Sequence, residues 1–214
     1  TIPAWNTPLA PEVVKEIKAR YPALRHSQRN SFNGNNTTFR HPSARAVDDA
    51  ERQRCYEESW QEGGFAFLGT FADLLFDPFA NDTAGDFVRA KIRQIVRDPA
   101  VAERLTPKTV FGCKRLCVDT DYYATYNRDN VELVDIAATP VEAIVPEGLR
   151  VGGQTYGVDA IVFATGYDAI TGAIMKVDIR NGQGTRLADV WADGPRTYLG
   201  LSVAGFPNFF TITG

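Results

Sequence analysis

Lys114 and Arg115 stand side by side in the string Phe111-Gly-Cys-Lys-Arg115. An ammonium makes a strong charge-assisted contact to a phosphate. A guanidinium stays charged at any working pH, presents several fixed donors and tolerates partial burial, so it suits a developing oxyanion. Taken as residues alone, the pair also admits plainer readings. Most lysines are solvated, and Arg115 has Asp119 and Asp121 nearby in sequence as ion-pair partners. A second candidate is Ala164-Thr165-Gly166, which follows the apolar run Ala160-Ile-Val-Phe163. A glycine at a strand end lets backbone approach a ligand at the carboxyl edge of a sheet, where open α/β sheets bind cofactors. The same glycine would serve a plain tight turn. Asp168 is a neighbour of that site, and Arg196 in Pro195-Arg-Thr-Tyr198 is either a functional cation or half of an interdomain ion pair.

Other chemistries find little footing. There is no phosphate loop of the G-x-x-x-x-G-K-[ST] type, no H-E-x-x-H and no G-x-G-x-x-G. Gly200-Leu-Ser202-Val-Ala204 lacks the closing glycine of a nucleophile elbow, and no histidine follows it. His26 and His41 read as solvated loop residues, so no metal site is expected. Cys113 and Cys117 are four apart, which is not C-x-x-C, and with Cys55 they make an odd, sparse set. A reducing, cytoplasmic setting follows. The net charge of -3 gives no field favouring nucleic acid or an anionic membrane. No apolar run approaches the roughly 18 residues of a membrane span. With 44% hydrophobic and 23% charged residues, the 214-residue chain has the makeup of one or two globular domains.

Two blocks must position these residues. Up to Pro107 the spacing predicts helices: one from Pro11 that Pro22 ends, one from Asp48 or Asp49 through Trp60, one over Phe65–Phe76, one beginning at Asn81, Asp82 or Thr83, and a short one reaching Leu105. Asn30–Thr38 reads as a loop. The aromatics Trp60, Phe65, Phe67, Phe71 and Phe76 read as packing surface. After Pro107 strands and turns alternate. Val131–Val134 and Ala160–Phe163 barely alternate and read as buried parallel strands. Val141–Val145 and Leu149–Val151 are further strands, with turns at Glu147-Gly148 and Gly152-Gly153. Asp121–Tyr126 reads as one or two helical turns, and Val177–Ile179 and Asn208–Ile212 as late strands. The chain starts at Thr1 and ends on a strand reaching Gly214, which reads as a piece of something longer.

Three ordered strings carry a family resemblance. They are Phe111-Gly-Cys-Lys-Arg115 followed by Asp121-Tyr-Tyr123 and Asn127–Val131; Asp159-Ala-Ile-Val-Phe-Ala-Thr-Gly-Tyr-Asp168; and Trp191–Gly200 with its Gly-Pro-Arg-Thr-Tyr core, followed by Gly205–Phe210. Together they resemble the Baeyer–Villiger flavin monooxygenases, the branch acting on cyclohexanone, phenylacetone and steroid-like ketones. The Ala-Thr-Gly string alone is shared by many two-dinucleotide flavoproteins, including nitrogen- and sulfur-oxidising ones. The Lys-Arg and Gly-Pro-Arg-Thr-Tyr strings narrow the resemblance.

The resemblance implies an α/β fold made of partial Rossmann-like halves of two dinucleotide-binding domains, with an inserted mainly helical block. On that plan residues 1–107 are the helical insertion, 108–163 the second half of an NADPH-binding domain, and 164–214 a return segment of an FAD-binding domain. The implied cofactors are FAD and NADPH, and the implied substrates are a small ketone and O2. The implied reaction inserts one oxygen beside the carbonyl to give an ester or lactone. Lys114 takes the family's role at the ribose 2′-phosphate of NADPH. Arg115 takes the role of stabilising the peroxide anion and the oxyanion that follows. Ala164, Thr165, Gly166 and Asp168 lie by a cofactor. Both glycine fingerprints would lie upstream and the substrate-lining loops downstream, so the isolated chain is expected to need those parts for activity.

Overall fold

The computed structural model describes residues 1–4, 8–31, 34 and 38–212. Much of the loop expected at Asn30–Thr38, and the turn at Gly214, lie outside the described residues. The chain forms two compact units, 1–140 and 141–214. The change of composition after Pro107 therefore lies inside the first unit. Residues 108–140 stay with the helices because Asn127 ties them there: its Oδ1 accepts from the Arg97 amide at 2.8 Å, and its Nδ2 donates to the Ile95 carbonyl at 2.7 Å.

In the first unit, strand β1 (Ile2–Pro3) precedes helices α1 (Pro11–Ala19), α2 (Tyr21–Arg29), α3 (Asp49–Glu62), α4 (Pro78–Ile95) and α5 (Pro99–Leu105). Strand β2 (Val118–Asp119) and the one-turn helix α6 (Tyr122–Thr125) follow. β1 pairs in parallel with β2. Pro22 does not end a helix; it sits in the first turn of α2, where its missing N–H has no partner to lose.

Helices α3 to α5 begin on aspartates. The carboxylates of Asp48, Asp77 and Asp98 accept the amides of Glu51, Ala80, and Ala100 with Val101, satisfying donors the helices leave open. Helix α3 buries Arg52, Cys55, Tyr56 and Ser59, one face at helical spacing. Helix α4 answers with Ala80, Ala84, Phe87, Val88 and Ile92. Between them lies an aromatic cluster in which Tyr56 stacks on Phe67 at 5.5 Å and meets Phe71 edge-on at 5.4 Å, with Phe87 at 5.4 Å.

Phe67 and Phe71 belong to this core, but the helix expected over Phe65–Phe76 is absent. The segment is a 3₁₀ stretch, Gly64–Gly69, followed by turns, and Phe65 and Phe76 are exposed. Gly63 and Gly64 take positive φ and spoil helix entry. Thr70 then returns its hydroxyl to the Phe67 carbonyl at 2.8 Å, a local bond that competes with helix.

The second unit holds an antiparallel meander of β3 (Val141–Val145), β4 (Gly148–Val151) and β5 (Gln154–Gly157). Gly152 and Gly153, both at positive φ, make the β4–β5 turn, the geometry that two-residue hairpins prefer. Two short helices, α7 (Gly172–Met175) and α8 (Leu187–Val190), and a hairpin of β6 (Ser202–Val203) with β7 (Phe206–Phe210), enclose a small core of Leu187, Trp191, Val203 and Phe206.

Three expected strands do not form. Val131–Val134, Val177–Ile179 and Ala160–Phe163 are irregular, with Val162 and Phe163 exposed. A central parallel strand exists only between hydrogen-bonded neighbours. None of the described strands lies beside 160–163, so the apolar run has no sheet to complete.

Candidate functional site

The basic pair sits on the loop that joins α5 to β2, and buried Asn81 sets that loop. On α4 its amide donates to the carbonyls of Leu74 at 3.2 Å and Phe111 at 2.8 Å, and its carbonyl accepts the Phe111 amide at 3.0 Å. The Phe111 ring lies 5.6 Å from Phe67, which ties the loop to the core. The next residue, Gly112, has φ +77, and a Cβ there would stand 2.6 Å from Leu75 Cδ2. Gly112→Ala should therefore cost stability through its left-handed backbone, with the exposed Leu75 side chain shifting to make room. We expect a loss of about 1–2 kcal/mol, read as a lower denaturant midpoint at unchanged m-value.

Past this turn, Lys114 and Arg115 are exposed and line a cleft with Arg89, Thr109, Gly112 and Leu116. Among the described residues neither cation has an ion-pair partner. The Asp119 carboxylate instead accepts the Tyr122 amide at 2.9 Å, and Asp121 occupies the left-handed position before α6. The acidic neighbours thus serve the turn and leave Arg115 available. Arg89, the third cation of the cleft, is held by Asp86 at 2.7 Å. The cleft thus brings two unpaired cations and one guanidinium braced by Asp86 to a largely apolar lining, and cations so placed can hold a phosphate.

Asn81 and Arg89 carry no signal of their own in the sequence. Asn81 reads there only as a possible helix start, whereas the cap is Asp77 and the asparagine points inward.

The second candidate set belongs to the other unit. Ala164, Thr165 and Gly166 are exposed in an irregular segment, with Gly166 at φ +84 and open space where a Cβ would stand. Asp168 pairs with Lys176, and Gly172 lies so close that a Cβ on it would meet the Asp168 Cβ at 2.5 Å. Arg196 is exposed. The structure gathers Lys114 and Arg115 in one cleft and Ala164–Asp168 on one segment. His41 is not a solvated loop histidine: it is half-buried, stacked on Phe71 at 6.0 Å. His26 is exposed on α2.

No protein-family model matches the chain. Among curated proteins it is 43% identical to 2-oxo-Δ3-4,5,5-trimethylcyclopentenylacetyl-CoA monooxygenase of Pseudomonas putida, over 99% of this chain and 39% of that protein. It is 41% identical to a Baeyer–Villiger monooxygenase of Pseudooceanicola batsensis, over 100% of this chain and 39% of that protein. It is 38% identical to the phenazine N-monooxygenase PhzNO1 of Lysobacter antibioticus, again over 100% of this chain and 40% of that protein. The crystal structure of OTEMO in complex with FAD and NADP superposes with a TM-score of 0.92 at 41% identity, covering 100% of this chain and 40% of that one. The three curated relatives are monooxygenases, and the solved structure carries FAD and NADP. Within that class the chain belongs to the Baeyer–Villiger monooxygenases, and it spans about 40% of the length of the relatives it matches. None of the described helices is long and apolar enough to cross a membrane.

Proposed function

We propose that the chain is part of an FAD- and NADPH-dependent monooxygenase that inserts one oxygen atom of O2 beside a ketone carbonyl, giving an ester or lactone. The observation that carries this reading is the exposed, unpaired Lys114-Arg115 on a loop fixed by Asn81, in a chain so similar to ketone-oxidising relatives along its whole length. When bound, the flavin supplies activation of oxygen and the nicotinamide supplies hydride. The chain's own residues bind, orient and stabilise charge. In this reading residues 1–107 are the helical insertion, 108–163 complete the NADPH domain, and 164–214 return to the FAD domain. The Rossmann-like halves are then completed by the rest of the protein, and 160–163 becomes a central strand there. The free cysteines agree with a cytoplasmic setting.

Lys114 takes the ribose 2′-phosphate, where a cation selects NADPH over NADH. Lys114→Ala should raise KM for NADPH about 10- to 100-fold, the loss of one charged hydrogen bond. KM for NADH should stay put; an equal rise for both cofactors would remove the 2′-phosphate from the assignment. Arg115 holds negative charge at the reacting oxygen. Ala164, Thr165 and Gly166 lie against a cofactor, with Gly166 admitting close backbone approach. Asp168 is their neighbour, tethered by Lys176.

The likeness to a phenazine N-monooxygenase favours a second reading, oxidation of nitrogen in a soft nucleophile. Supplying the full-length enzyme with a cyclic ketone and with an aromatic amine, and identifying the products, decides between them.

A further inference from the structure

The cleft at Lys114 leaves one cluster of the first unit without a role. Helix α3 places Glu51 and Cys55 one turn apart on the same side, and the segment before it brings in His41. The carboxylate oxygen Oε1 of Glu51 lies 3.1 Å from His41 Nε2 and 3.5 Å from Cys55 Sγ. The three ligand atoms lie within 4.8 Å of one another. Each is held in place. His41 exchanges backbone hydrogen bonds with Thr70 and Ala72 and stacks on Phe71. Cys55 is buried, at 1% exposure. Arg54 braces the Glu51 carboxylate, its Nε on Oε2 at 2.7 Å and its Nη2 on Oε1 at 2.5 Å, while its Nη1 goes to Glu58.

Hydrogens of the His41 imidazole and the Cys55 thiol thus converge on one anionic oxygen, beside that of the Arg54 guanidinium. A divalent cation satisfies the same three atoms directly. We propose that His41, Glu51 and Cys55 form a structural site for a divalent cation of borderline softness, of the Zn²⁺ kind. Nitrogen, oxygen and sulfur in one set select such an ion over Mg²⁺ or Ca²⁺, which take oxygen ligands. Four-coordinate bonds of this type set ligands about 3.4 Å apart, so from separations within 4.8 Å the cluster closes by up to about 1.4 Å. On binding, the thiol proton leaves to solvent and the imidazole proton moves to Nδ1. The trio becomes neutral overall with the ion, and water completes the coordination. Arg54 keeps its bond to Oε2, and Glu58 offsets its charge. The ion would then rivet the segment around His41 to helix α3.

The test uses the full-length protein, stripped with a chelator and carrying Cys113→Ser and Cys117→Ser to silence the exposed thiols. Titration with Co²⁺ should give one equivalent bound and a sulfur-to-cobalt charge-transfer absorption. Cys55→Ser should abolish that absorption. His41→Gln, at the half-exposed rim where folding is least at risk, should weaken binding at least about tenfold. No charge-transfer band in the titrated protein, its survival in Cys55→Ser, or unchanged affinity in His41→Gln each overturns the site. Should Cys55→Ser not fold, the His41→Gln titration decides alone.

Discussion

Arg115→Ala in the full-length enzyme should lower the rate of ketone oxygenation by about 10²–10³-fold while flavin stays bound. The estimate is that for removing one fixed donor from developing negative charge, where the site supplies it without reorganisation. The structure favours a large effect because the guanidinium has no competing carboxylate: Asp119 is spent on the Tyr122 amide. Lysine at position 115 should recover little, since a point charge does not reproduce a planar fork of donors. The flavin absorption spectrum and the yield of lactone are read on the same sample. Unimpaired lactone formation with normal flavin content would end the assignment of Arg115 to the chemistry.

The second large effect is expected far from any cofactor contact. Asn81→Ala removes all three hydrogen bonds that hold Leu74 and Phe111 together. It leaves the buried Leu74 carbonyl and the part-buried Phe111 carbonyl and amide unpaired, so a loss of about 2–3 kcal/mol in unfolding free energy is expected. The loop carrying Lys114 loses its anchor at the same time. KM for NADPH should therefore rise along with the fall in stability. A destabilised variant with unchanged KM would mean that the loop is positioned by other contacts, chiefly the packing of Phe111 on Phe67.

What sequence reading reached, and what it did not, follows from which forces are local. Helices α3 and α5 were legible because their caps and buried faces are written within one stretch of chain, as with Asp98-Pro99 opening α5, whereas α4 begins a turn earlier than its polar run suggested, on Asp77. The hairpins at Glu147-Gly148 and Gly152-Gly153 were legible for the same reason. The failures involve partners remote in sequence. Phe65–Phe76 has helical spacing, yet Gly63-Gly64 and the Thr70 back-bond give it a different path. Ile161 and Val162 look like a sheet centre, but a strand needs neighbours that composition alone cannot supply. At the site, Lys114 and Arg115 stood out through their string. Asn81 did not, because its role rests on bonds to residue 111, thirty positions on. His41 likewise reads as a loop residue until Phe71 and Glu51 arrive beside it.

The pairing of β1 with β2 carries a consequence for how the site comes into being. The Ile2 amide donates to the Cys117 carbonyl, and the Thr120 hydroxyl donates to the Ala4 carbonyl across 116 positions. Those two bonds close a ring around nearly the whole first unit, immediately beyond Arg115. Bringing the ends of so long a segment together costs on the order of 4 kcal/mol of chain entropy. Packing of the intervening helices offsets it. The strand that flanks the basic pair is thus held in place by the packing of everything between two partners 116 positions apart.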